Sequence, residues 1–82
     1  MADESGFEVI PSQASSQIDQ VLFSAETGQG RISFIKNGAL YEYDSCTRSE
    51  AEQIANGAIG GSVGVTFGQL WKSGGKPYRR IS

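Results

Sequence analysis

The alternation of apolar and polar residues on both sides of Asn37-Gly38 predicts a β-hairpin over residues 31–44. Both turn residues accept the positive φ angles of a two-residue type I′ turn, and such a turn fixes the register of the two strands. In this register Arg31 lies opposite Asp44 and can form an ion pair with it. One face of the hairpin then carries four residues expected in the core: Ile32, Phe34, Tyr41 and Tyr43.

A further strand is predicted over residues 17–24, joined to the hairpin by a glycine-bearing connection. The three strands form an antiparallel β-meander. Because side chains alternate along a strand, Leu22 should share the outer face of the sheet with Ile35 and Leu40. We expect these three residues, the outer trio, to be the partner interface of a homo-oligomer. The alternative is that residues 7–11 fold over them.

Two short helices are predicted after the sheet. Residues 47–50 have the Thr-x-x-Glu pattern of a capping box, and the helix that follows ends near Gly57. A second helix is predicted over residues 62–71, capped by its first serine. Gly64 and Gly68 lie on one face of this helix, which indicates close packing against the sheet or another chain, or a locally loose segment. With both helices packed on one face of the meander, the predicted fold class is α+β.

Residues 1–16 are rich in serine, glutamine and alanine, and they predict a flexible N-terminal tail before a single small domain over residues 17–82. Within this tail residues 7–11 form an apolar island that suits an edge strand, an extended arm on a partner or a floppy leader. No apolar run approaches the roughly 20 residues needed to span a bilayer. The single cysteine, Cys46, excludes an intramolecular disulfide, and we expect a cytoplasmic protein.

The net charge of −2 conceals an asymmetry between the two parts of the chain. Residues 1–52 hold all nine acidic residues and three basic ones, whereas residues 53–82 hold four basic residues and no acid. The two parts can attract each other within the fold or between subunits. Alternatively, the C-terminal part offers a local surface for an anion.

Six residues near the C-terminus form a basic-aromatic cluster that is the candidate ligand site: Trp71, Lys72, Lys76, Tyr78, Arg79 and Arg80. Cationic side chains bind phosphate, and an aromatic face can stack on a base. Four charges are too few for a long nucleic-acid track, so a small nucleotide or a short RNA element suits them better. The alternative is that Trp71 and Tyr78 lie in the core and the charges are solvated.

Five short segments occur in a fixed order along residues 15–82. They are Ser15-Ser16 with Ile18, Val21 to Phe23, Ala39 to Tyr43, Ser62 to Phe67, and Lys76 to Ile81. Their order resembles the KTSC domain family, small domains found at the C-terminus of some lysyl-tRNA synthetases and as single-domain bacterial and phage proteins. The resemblance implies a small α+β fold, and RNA binding has been suggested for the family. The chain departs from the family pattern at Gly68, where asparagine is usual.

The sequence lacks the residues of most catalytic sites. Without histidine, Ser-His and Cys-His catalysis and His-based zinc sites are excluded. Cys46 alone cannot build a metal cage, and as a small residue at a strand end it needs no chemical role. Glu42 and Asp44 could act as an acid pair or bind a cation, but Arg31 gives Asp44 an ion-pair partner. We therefore expect no enzymatic activity, no metal and no cofactor.

Small size, the outer trio and the lack of catalytic residues favour a non-enzymatic interaction protein. On this interpretation it is encoded by a phage or a bacterium, and it modulates or inhibits a host protein. The alternative is an oligomeric nucleotide- or RNA-binding module that uses the basic-aromatic cluster, for example as a sponge for a nucleotide immune signal. No membrane partner is expected.

Overall fold

The structure is a computed structural model that describes residues 6–82. Within these residues five strands form one antiparallel sheet, and their order in the sheet follows the chain: β1 (Phe7–Ile10), β2 (Ile18–Ser24), β3 (Gln29–Phe34), β4 (Leu40–Tyr43) and β5 (Tyr78–Arg80). The helical layer lies between β4 and β5 in the chain: α1 (Arg48–Ala55), α2 (Val63–Phe67) and a π-helix (Gly68–Lys72) that continues α2. The α+β class and the two short helices are confirmed, whereas the sheet has five strands rather than three.

The two additional strands lie at the edges of the sheet. β1 lies within the predicted tail and pairs with β2, so the edge-strand interpretation applies to this part of the chain. Its Glu8 forms an ion pair with Arg48, which connects β1 to α1. At the other edge, β5 pairs with β4 and all three of its residues are exposed. Residues 1–5 of the predicted tail lie outside the described residues.

The hairpin pairs two residues away from the predicted register. Arg31 lies opposite Glu42, and its Nη2 is 3.1 Å from the Glu42 Oε2 atom. The predicted ion pair between Arg31 and Asp44 is therefore wrong, and Asp44 pairs instead with Arg79 across β4 and β5, at 2.8 Å. Because the shift is an even number of residues, every side chain stays on its predicted face.

A four-residue loop replaces the predicted two-residue turn. The Phe34 amide donates to the Ala39 carbonyl at 2.9 Å, which leaves residues 35–38 in the loop. Gly38 has a φ of 66°, whereas Asn37 does not adopt a positive φ. The Asn37 side-chain oxygen accepts instead from the Ala39 amide at 3.0 Å, and this contact closes the loop.

The helices begin at the predicted caps. The Thr47 hydroxyl accepts from the Glu50 amide at 3.1 Å, and the Glu50 carboxylate accepts from the Thr47 amide at 2.9 Å, so the capping box is complete. The Ser62 hydroxyl accepts from the Val65 amide at 3.2 Å and caps α2. Within residues 6–82, neither α-helix nor the π-helix is long and apolar enough to cross a membrane.

Trp71 is the largest fully buried side chain among the described residues. Its indole lies directly against Gly30 of β3, and its ring centroid is 5.7 Å from that of Tyr43. The indole N–H donates to the Glu50 carboxylate at 3.4 Å, so the tryptophan joins the π-helix to α1 as well as to the sheet. Around it lie the buried residues of both layers, among them Val21, Phe23, Ile32, Ile54, Val63 and Phe67.

Candidate functional site

An open groove of about 720 Å³ lies between the sheet and the helical layer, at the end where β5 and the hairpin loop meet α2 and the π-helix. Five aromatic residues contribute to its walls: Phe34, Tyr41, Tyr43, Phe67 and Tyr78. The other lining residues are small or polar: Gln17, Asn37, Ala39, Gly64, Gly68 and Lys72. A volume of this size is within the range of ordinary small-molecule sites.

The aromatic wall is built from tyrosines that stack across neighbouring strands. Tyr78 on β5 lies opposite Tyr43 on β4, with ring centroids 5.5 Å apart and ring planes 24° from parallel. Tyr78 is 63% exposed, so most of its surface remains available to a ligand. Burial, together with the neighbouring Tyr78 and Tyr41, raises the pKa of Tyr43 to about 12, so this phenol is protonated at neutral pH.

The helical wall is open at Gly68. Apart from its chain neighbours and the backbone of its own helix, a β-carbon built on Gly68 would meet no atom of the described residues within 4 Å. The φ of Gly68 is −58°, an ordinary helical value. At Gly64 the same addition would come within 2.5 Å of the Gln17 side-chain oxygen. Of the alternatives predicted for these glycines, close packing against the sheet is therefore wrong for Gly68, which borders the groove.

The structure does not bring the predicted basic-aromatic cluster together. Trp71 is in the core and cannot contact a surface ligand. Lys76 contacts Glu50, with its Nζ 3.4 Å from the carboxylate, and Arg79 extends to the opposite face of the sheet, where it pairs with Asp44. These two ion pairs join the basic C-terminal part to the acidic N-terminal part within the fold.

Two of the six predicted residues, Lys72 and Tyr78, line the groove. Lys72 is exposed and forms no ion pair with any residue of the described chain, 6–82. Arg80 lies opposite Tyr41 and so shares its face of the sheet, but its Nε donates to the Ser82 carbonyl at 2.9 Å. Lys72 is the cation that the groove itself presents.

Several groove residues were predicted only as core. Tyr43 is buried as expected, whereas Phe34 and Tyr41 are half-buried. Asn37 was interpreted only as a turn residue, and Gln17 only as the start of a strand. The sequence feature that could have indicated the groove is Gly68, a glycine within a predicted helix.

The opposite face of the sheet holds two members of the outer trio, Leu22 and Leu40, which are half-buried there. The third member, Ile35, lies in the hairpin loop and is 52% exposed. β1 does not fold over the trio but extends the sheet beside β2, where Val9 lies opposite Leu22. Phe7 is buried on this face beneath the Arg31 guanidinium, which lies 3.8 Å from the ring centroid. The apolar surface predicted here is therefore partly open.

Cys46 lies in the core, away from the groove. Its Sγ is 3.4 Å from the Tyr43 carbonyl, to which the thiol can donate. Burial raises the pKa of the Cys46 thiol to about 11, despite the nearby Lys76, so the reactive thiolate is scarce at neutral pH. No group of three potential metal ligands of the His, Cys, Asp or Glu type occurs among residues 6–82.

No protein-family profile and no curated protein matches this sequence. Among solved structures, a KTSC domain protein from Yersinia pestis has a similar fold, with a TM-score of 0.71 and 20% sequence identity. The match covers 93% of this chain and 99% of that protein's chain. The resemblance predicted from the five sequence segments is confirmed at the level of the fold: this chain has the fold of a KTSC domain.

Proposed function

We propose that this protein is a small non-enzymatic binding protein and that the groove holds its ligand. The ligand class that suits the lining best is a nucleotide or a short RNA element, which combines an aromatic base with a negatively charged phosphate. The observation that carries this proposal is the presence of Lys72, without an ion-pair partner among residues 6–82, on a groove lined by aromatic rings.

The aromatic wall supports the base-binding part of the proposal. An aromatic side chain stacked on a base contributes about 1–3 kcal/mol, with little dependence on which base it is. Tyr78 offers an exposed ring for this contact. The side-chain amides of Gln17 and Asn37, which also line the groove, supply hydrogen-bond donors and acceptors for the edge of a base.

The charge of the groove supports the phosphate-binding part. None of the described lining residues is acidic, so the positive charge of Lys72 is not neutralised within the groove. Of the other three cations of the C-terminal segment, Lys76 and Arg79 are paired with acidic residues, and Arg80 does not line the groove. An anionic group entering the groove would therefore meet Lys72 first.

Replacing Lys72 with alanine should weaken the binding of a nucleotide by about tenfold or more, because a hydrogen bond to a charged group contributes about 1.5–3 kcal/mol. The dissociation constants of the four ribonucleoside monophosphates, measured by isothermal titration calorimetry, check this. Lys36→Ala is the matched control, because Lys36 is an exposed lysine of the hairpin loop and does not line the groove. Equal affinities for both variants and the unaltered protein would contradict the assigned site.

A second candidate function, binding of a partner protein, is supported by exposed aliphatic residues on the outer face of the sheet. Ile35 is 52% exposed, and Ile81, which follows β5, is 40% exposed. The Ile81 amide donates to the Leu40 carbonyl at 2.8 Å, which places Ile81 beside a member of the outer trio. The partner on this surface would be a second copy of the chain or a host protein that the chain modulates.

If the outer trio is a self-association interface, Ile35→Asp should convert an oligomer into a monomer, because the substitution puts a charge into apolar contact. Sedimentation equilibrium at tens of micromolar protein measures the mass. Val65→Asp is the matched control, because Val65 is a comparably exposed aliphatic residue (48%) on α2. A monomeric mass for the unaltered chain would rule out the homo-oligomer.

A further inference from the structure

Resting on the proposed function, we infer that the groove is built for a single nucleotide-sized unit rather than for a nucleic-acid polymer. In this arrangement one planar ring lies over Gly68 and one anionic group lies at Lys72. Both residues belong to the π-helix and both line the groove, so one short segment would recognise the two parts of the ligand. Segments of π-helix occur frequently at functional sites.

Gly68 has no structural reason to be glycine within the described chain. A glycine inside a helix costs about 1 kcal/mol relative to alanine. A positive φ or a close approach of another atom would explain that cost, but the φ of Gly68 is −58°. Apart from its chain neighbours and the backbone of its own helix, no atom of residues 6–82 would lie within 4 Å of an added β-carbon. What an added side chain would occupy is the open groove. The glycine therefore keeps free the space that we assign to the ring.

Gly30, in the same fold, is a glycine that core packing requires. A β-carbon on Gly30 would lie 2.2 Å from the Trp71 indole, so no other residue fits without displacing the core. Gly68 is the opposite case, since the space next to it is empty on the protein side. This contrast favours a role in ligand binding at Gly68 over a role in packing.

The number of available cations favours a single anionic group. A polymer bound along the groove would need several basic residues to neutralise successive phosphates. Of the four basic residues in the C-terminal segment, Lys76 and Arg79 are in ion pairs and the Arg80 Nε is held by the Ser82 carbonyl. Lys72 is the one basic residue among the described residues that line the groove, so the groove itself offers one phosphate contact.

The test compares Gly68→Leu with Gln69→Leu in calorimetric titrations of the four ribonucleoside monophosphates and a twelve-nucleotide single-stranded RNA. Gln69 is the next residue of the same helical segment, is exposed and does not line the groove. The Gln69→Leu variant therefore places the same leucine side chain outside the site. We expect Gly68→Leu to weaken mononucleotide binding by more than about tenfold and Gln69→Leu to leave it unchanged. The melting temperature of Gly68→Leu should not fall, which separates lost binding from lost folding.

The titrations with the twelve-nucleotide RNA distinguish a site for one nucleotide from a site for a nucleic-acid polymer. For a single phosphate contact, the logarithm of the association constant for the RNA should fall with the logarithm of the salt concentration with a slope of about −0.7. Each further phosphate contact would make this slope steeper by about the same amount. A slope of several times that value would overturn the single-unit inference, as would unchanged mononucleotide binding by Gly68→Leu. In either case, weaker nucleotide binding by the Lys72→Ala variant would still support the groove as the ligand site. If no nucleotide binds the unaltered protein at all, both proposals fall.

Discussion

Replacing Trp71 with alanine is expected to lower the free energy of unfolding by about 3–5 kcal/mol, the cost of removing a large aromatic side chain from a core. Trp71 is fully buried and packs against β3, Tyr43 and α1. Native proteins have a total stability of about 5–15 kcal/mol, so this loss is a large fraction of the total. Urea titration followed by circular dichroism measures the change, because the substitution removes the chain's single tryptophan fluorophore.

Leu70→Ala is the control for this prediction. Leu70 is the neighbouring residue of the same π-helix but is only half-buried, so its truncation should cost clearly less than that of Trp71. A loss for Trp71→Ala no larger than that for Leu70→Ala would contradict the position of the indole at the centre of the core.

Gly30→Ala is expected to destabilise the fold by about 3 kcal/mol or more, although it adds only one methyl group. The new β-carbon would lie 2.2 Å from the Trp71 ring, and the ring has no free space into which to move because it is fully buried. Overpacking a well-packed core costs typically about 1–3 kcal/mol and occasionally more, and the very short distance at Gly30 favours the upper end. Urea titration by circular dichroism again provides the measurement.

Two comparisons make the Gly30 result specific. Gly68→Ala, at a position where the added carbon meets open space, should leave stability unchanged or raise it by up to about 1 kcal/mol. In the double variant Gly30→Ala/Trp71→Ala the two costs should not add, because removing the indole also removes the clash. Additive costs would show that the methyl group introduced at position 30 does not contact the Trp71 indole.

The parts of the fold that depend on local sequence were predictable. The capping box at Thr47 and the cap at Ser62 are set by residues three positions apart, and both form as predicted. The faces of the hairpin follow from the alternation of its side chains, which a register shift of two residues does not change. The loop itself was not predictable from Asn37-Gly38, because the Asn37 side chain closes a longer loop equally well.

The edge strands and the groove depend on contacts between distant segments. The sequence around β5 favours a short extended segment, but its three exposed residues do not indicate that it pairs with β4. Once it is known to be a strand, the alternation of Tyr78, Arg79 and Arg80 explains why the predicted cluster divides between two faces. The groove is lined by residues that lie far apart in the chain, from Gln17 to Tyr78, so no local sequence pattern predicts it.

The hairpin loop also bears on how this fold can change in evolution. Because side chains alternate along the strands, inserting or deleting two residues in loop 35–38 would preserve the division between groove side and outer side. A single insertion that shifted the pairing would instead exchange Tyr41 with Glu42, placing a carboxylate in the groove. A change of two residues in the length of this loop would therefore alter the rim of the groove near Asn37 without moving any side chain between the two faces.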